Sequence, residues 1–215
     1  MSYAKAPKLI IIDCDGVLYD ENELDTNALV HGFNKTCSEY FKFPDKNVDA
    51  VASYAKEKHT KGAYTYINEI SKKIGIDPES LVKQVIENID YSNIKSDKDN
   101  ILPKLQELQH KYKICIYSNN HLMHVNKILK AKFNTLANQL PFEVFDMRYA
   151  EQDGIFYAKE SDVSISKLEK HFNINAKDFL WIDDSQHISD ALEPFGCRVT
   201  LVTKENRLID ILNKL

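Results

Sequence analysis

Five short apolar runs, separated by helix-like segments, leave this 215-residue chain few possible architectures. They lie at 8–12 (KLIII), 113–117 (KICIY), 143–146 (EVFD), 179–182 (FLWI) and 198–202 (RVTLV). Each is short and rich in apolar or β-branched residues, as strands covered on both faces are. Leu102, Leu105 and Leu108 share one face of the segment leading into the second run, and Ile165, Leu168 and Phe172 do the same before the fourth. Strand, helix, strand in series demands parallel pairing through crossover helices. The expected fold class is therefore α/β, a doubly wound, Rossmann-like parallel sheet.

Between the first and second runs the alternation stops. Residues 20–95 hold no convincing strand but carry helical stripes. Ala63, Tyr66, Ile67, Ile70 and Ile74 recur at helical spacing. Asp77-Pro78-Glu79 then supplies a cap, a first-turn proline and an early acid, opening a helix with Leu81, Val82, Val85, Ile86 and Ile89 on one side. The expected organisation is a catalytic core of residues 1–19 and 96–215, with a helical cap of residues 20–95 inserted after the first strand.

Composition excludes several function classes. Lys+Arg 28 against Asp+Glu 32 gives a net charge of -4, so no basic footprint argues for a nucleic-acid polymer or an anionic membrane. No apolar run approaches a membrane span, and the start lacks a signal-peptide pattern. Cys14, Cys37, Cys115 and Cys197 are scattered with no CxxC and read as reduced thiols, so the expected location is cytoplasmic. Cys14 itself reads as a packed core thiol, and Trp181 as core.

The polar residues collect where the strands end. In open α/β sheets ligands bind at the carboxyl ends of strands. Asp13-Cys14-Asp15 follows the first run, Ser118-Asn119-Asn120 the second, and Asp183-Asp184-Ser185 the fourth. Four acids gathered there raise one another's pKa steeply unless a cation joins them. Oxygen-only ligands, without His or Cys, suit Mg²⁺. The Ser118 hydroxyl and the Asn119 amide suit phosphate oxygens, and Lys159 in GIFYAKES is the best-placed fixed cation.

Taken in order, DxDGVLYD at 13–20, the serine and asparagine at 118–119, Lys159 and IDDS at 182–185 resemble the haloacid dehalogenase superfamily in its phosphatase form. The motifs span most of the chain. The resemblance implies Asp13 as the nucleophile that becomes an aspartyl-phosphate, and Asp15 as general acid and then base. It implies Ser118 and Lys159 as the residues that hold the phosphoryl group. Mg²⁺ would be held by Asp13, the Asp15 backbone carbonyl and Asp183, with Asp184 behind them or as an alternative ligand. Tyr19 in DGVLY is similar to the pyrimidine 5′-nucleotidase branch. Two departures stand out: Glu160 follows Lys159 where many relatives have proline, and Asp15 is absent from the dehalogenases themselves, which favours phosphoryl transfer over carbon–halogen cleavage.

Plainer readings compete with these. An EF-hand starting at Asp13 fails, because its sixth and twelfth positions are Leu18 and Leu24. Ser118 could merely cap a helix starting near His121, and Lys159 could be a surface lysine. His121 and His124 have no third metal ligand and read as exposed helix residues, while His187 reads as a capping or packing residue. The expected activity is Mg²⁺-dependent hydrolysis of a small soluble phosphomonoester, a nucleotide monophosphate among the candidates. The alternatives are a phosphomutase of the same superfamily and a silent phosphate-binding or signalling protein. Receiver domains, which also accept phosphate on an aspartate, fit less well because they lack the insertion and carry their acids in another order.

Overall fold

A computed structural model describes residues 6–20, 22–24, 71–72 and 75–215. Five parallel strands form the central sheet: β1 (Leu9–Ile12), β2 (Lys113–Tyr117), β3 (Glu143–Phe145), β6 (Phe179–Asp183) and β7 (Arg198–Leu201). Their order is β3-β2-β1-β6-β7, with Ile12 beside Ile116 on one side and Ile182 on the other. The chain winds outward from β1 in one direction, then returns to its other side. The β1/β6 boundary is thus the place where strand order reverses, and its carboxyl end is the natural binding crevice.

Alternation along the strands builds two cores. Ile10, Ile12, Ile114, Ile116, Leu180 and Ile182 face one side. There they meet Leu105 and Leu108 of α2 (Ile101–Leu108), Val125, Ile128 and Leu129 of α3 (Leu122–Phe133), and Ile211 and Leu212 of α6 (Leu208–Leu212). Leu9, Ile11, Cys115, Tyr117, Phe145, Phe179 and Trp181 face the other side. They pack on Ile165, Leu168 and Phe172 of α4 (Asp162–Phe172) and on Ile188 and Leu192 of α5 (Gln186–Leu192). All four β1 residues are fully buried, and each such side chain contributes about 1.5–3 kcal/mol over leaving it in water. The doubly wound sheet expected from the sequence is the observed one.

Most of the insertion, including the stripe from Ala63 to Ile74, lies outside the described residues. Its last helix, α1 (Pro78–Glu87), starts as expected: Asp77 is the N-cap, accepting from the Ser80 N–H at 2.9 Å, with Pro78 in the first turn. Val82 and Ile86 pack on Met147 and Phe156. Between β3 and α4 runs a two-stranded hairpin, β4 (Glu151–Gln152) and β5 (Ile155–Phe156), turning at Asp153-Gly154, where both φ angles are positive. Among the described residues no helix is long and apolar enough to cross a membrane, and the described cysteines Cys14, Cys115 and Cys197 are free thiols.

Candidate active site

The register of β1 against β6 puts Asp13, one residue past β1, beside Asp183 at the end of β6; the Asp13 N–H donates to the Ile182 carbonyl at 2.9 Å. Both carboxylates are buried. Lys159, which follows the hairpin, reaches between them with its Nζ 2.7 Å from Asp13 Oδ1 and 2.7 Å from Asp183 Oδ2. At 3% exposure Lys159 is no surface lysine. Burial alone would favour its neutral form, but Asp13 and Asp183 outweigh that and hold it charged.

One lysine does not balance the acids. Asp13, Asp183 and Asp184 each offer a carboxylate oxygen within 4.8 Å of the others. Burial, then the charges of Asp183 and Asp15, drive the Asp13 pKa well above the usual carboxylate range despite Lys159. Burial and Asp183 push the Asp184 pKa up to about 6. Asp183 Oδ2 is buried and accepts no hydrogen bond beyond its ion pair with Lys159. An oxygen-only donor set in which Asp13 and Asp184 resist ionisation fits a hard divalent cation such as Mg²⁺. Gly16 makes this packing possible. Its φ is +70°, and a Cβ there would overlap the Asp184 carboxylate.

Asp15 is turned away from the cluster. Its Oδ1 accepts from the Tyr19 hydroxyl at 2.7 Å and bonds His124 Nε2 at 2.7 Å. Its Oδ2 accepts from Asn120 Nδ2 at 2.8 Å and Ser118 Oγ at 3.2 Å. Burial would raise its pKa, yet His124, Tyr19 and Asn120 together hold it below the ordinary value. The Asp15 side chain therefore does not belong to the carboxylate group formed by Asp13, Asp183 and Asp184, which leaves only its backbone carbonyl for a metal.

Other residues stand differently from expectation. Ser118 is fully buried at the end of β2, where its Oγ accepts from the Asn120 N–H at 2.9 Å; it does not cap α3, whose N-cap is His121. Asn119 spends both ends of its side-chain amide on the Lys159 loop, accepting from the Lys159 N–H at 2.6 Å and donating to Glu160 Oε2 at 3.1 Å. Its side chain is thus a brace for Lys159, and Glu160, in the place of the usual proline, is the other half of that brace. His121 and His124 are buried, not exposed, because α3 turns that face inward with Val125 and Ile128. His124 shares a stripe with Ile128, four residues on, and that spacing was the available signal. His187 is largely exposed and neither caps nor packs.

Two buried aspartates with the exposed Asp184 next to them and a fixed lysine between, at the reversal point of a doubly wound sheet, define a class of α/β enzymes built to hold a charged group on strand ends. The family model for haloacid dehalogenase-like hydrolases matches residues 7–196, and the chain belongs to that family. No curated protein matches the sequence. Among solved structures, a HAD family enzyme from Bacteroides thetaiotaomicron, in complex with magnesium and inorganic phosphate, superposes with a TM-score of 0.54 at 20% identity, covering 92% of this chain and 95% of that one. CbbY from Rhodobacter sphaeroides in complex with phosphate gives a TM-score of 0.57 at 14% identity, covering 91% and 86%. These likenesses extend the shared fold over nearly the whole chain.

Proposed function

We propose that this chain is a Mg²⁺-dependent phosphatase that hydrolyses a small soluble phosphomonoester through a phosphoryl group carried on Asp13. The observation that carries this reading is the split between two acids one residue apart. Asp13 sits in a carboxylate cluster that calls for a cation, while Asp15 is held apart by four partners. Like carboxylates serve different roles when their environments push their pKa values apart. The magnesium and phosphate bound by the Bacteroides enzyme support the same class of ligand.

Asp13, Asp183 and the Asp15 carbonyl would hold the metal, with Asp184 beside them. When bound, Mg²⁺ offsets the acid cluster and draws charge from the phosphate oxygens. Lys159 and Ser118 would orient the phosphoryl group. An Asp13 oxygen attacks phosphorus as the bond to the leaving oxygen breaks, and that oxygen takes a proton from Asp15. Water then attacks the aspartyl-phosphate, gives its proton to Asp15, and frees phosphate and Asp13. In the ligand-free arrangement Asp15 is ionised; a phosphate dianion beside it raises its pKa and favours the proton that the first half needs. A cap formed by residues 20–95 would select the rest of the substrate, which makes a nucleotide one candidate among several phosphate esters.

Rapid-quench mass spectrometry with an activated aryl phosphate tests this assignment. Asp13→Asn should neither turn over nor acquire acid-labile phosphate. Asp15→Asn should still be phosphorylated on Asp13, because a good leaving group needs no proton. Label on Asp13→Asn, or on Asp15 in the unaltered chain, overturns the reading, as does full turnover in metal-free buffer.

A further inference from the structure

His124 is fully buried and has both ring nitrogens engaged. Nε2 lies 2.7 Å from Asp15 Oδ1, and Nδ1 lies 2.6 Å from the Tyr91 hydroxyl. Tyr91 stands in the stretch that returns the chain from the insertion to the sheet, 33 residues before His124. The two rings are tilted against each other with centroids 5.5 Å apart, and Lys127 Nζ lies 5.1 Å from the Tyr91 ring centroid. No second purpose accounts for this pair. A buried imidazole is normally satisfied by backbone or water, whereas here its partners are a partly exposed strand-end carboxylate and a phenol from outside the sheet.

We propose that His124, fixed by Tyr91, is a positioning residue that aims the Asp15 carboxyl at the leaving oxygen. A ring that donates from Nε2 to Asp15 Oδ1 can accept the Tyr91 hydroxyl at Nδ1, so one tautomer satisfies both contacts. Both Tyr19 and His124 act on Oδ1, and Ser118 and Asn120 act on Oδ2, so the carboxyl is held in one rotation. His124 is locked at both ends of its ring. The Tyr91 contact also ties the orientation of Asp15 to the return segment of the insertion, so that a shift there is felt at the proton-transfer group. A displacement near 1 Å is enough to lower such a step about 10²-fold.

This inference rests on the reading of Asp15 as the group that moves a proton. The test is therefore a leaving-group comparison on the full chain with Mg²⁺, using an alkyl phosphate and an activated aryl phosphate. His124→Ala should lose about 10- to 100-fold in kcat on the alkyl ester, less than the full general-acid contribution of about 10²–10⁴ because Asp15 itself remains, with KM little changed. On the aryl ester it should lose little. His124→Gln, whose amide nitrogen can replace Nε2, should recover part of the loss, and Tyr91→Phe should show the same selective effect more weakly. Equal losses on both esters, or no loss on either, overturn the proposal. If the unaltered chain hydrolyses neither ester, the phosphatase reading fails by itself. The ¹⁵N shifts of His124 then decide: a positioning chain requires them to move in both Asp15→Asn and Tyr91→Phe, and shifts unmoved in either variant reject it.

Discussion

At Lys159 a single ammonium separates two buried carboxylates, and its removal leaves Asp13 and Asp183 facing each other without it. Breaking a buried ion pair from one side costs about 3–5 kcal/mol, because the remaining charge is stranded. Proton uptake on Asp13, whose pKa is already driven up by burial, trims that figure. Lys159→Met, similar in volume, should therefore unfold at lower urea than the unaltered chain in EDTA, and Mg²⁺ should narrow the gap by neutralising the same oxygens. Urea titrations with and without metal check this; equal midpoints in EDTA would remove Lys159 from the cluster's electrostatics. The ends of the apolar runs pointed to Asp13, Asp15, Ser118, Asp183 and Asp184, and Lys159 stood out only for lying between the second and fourth of those ends. The sequence did not reveal the partners of Asp15. Asn120 and His124 reach Asp15 only because β2 and α3 bring them within hydrogen-bond distance, across more than 100 positions of sequence. The phosphate role expected of the Asn119 amide gives way to the Lys159 loop that claims its side chain.

At the scale of elements, the strands were readable and the pieces between them less so. Runs of apolar residues marked β1, β2, β3, β6 and β7 to within a residue or so at each end, since covered parallel strands have no polar face to blur them. The hairpin of β4 and β5 escaped notice. Its strands have two residues each, too few for a period, although Asp153-Gly154 carried the turn signal. Helix α1 was legible from its cap and proline. Its packing on the core was not, because Met147 and Phe156 reach it from segments without periodicity. Ile86 is the fully buried anchor of that contact. Ile86→Ala should lower stability by about 2–5 kcal/mol, as cavity-forming changes do. Chemical denaturation measures it, and a loss below the cost of an exposed alanine substitution would mean that α1 does not rest on the core in solution.

For the molecule as a whole, the acid cluster makes stability depend on both pH and metal, with opposite signs. Asp184 has its pKa raised to about 6 by burial and by Asp183, above the ordinary carboxylate value of 3.8. Without metal, the folded chain binds a proton there more tightly than the unfolded chain does. Stability from this group is therefore present at low pH and declines as pH rises from the ordinary value to about 6, then stays level. Mg²⁺ reverses the preference, because a protonated oxygen is a poor ligand and the metal must displace that proton. A ligand that binds only the folded state stabilises it by RT ln(1 + [L]/Kd), so tighter binding gives a larger rise. The rise in Tm between EDTA and Mg²⁺ should accordingly be small near about pH 5 and larger near about pH 7.5. Differential scanning calorimetry at the two pH values measures the difference directly. Asp184→Asn should weaken the metal-induced rise and flatten its pH dependence, since an amide offers an oxygen without a proton to displace. The same rise at both pH values in the unaltered chain would mean that the cation is held without competition from protons on the cluster. The metal would then sit away from the strand ends of β1 and β6.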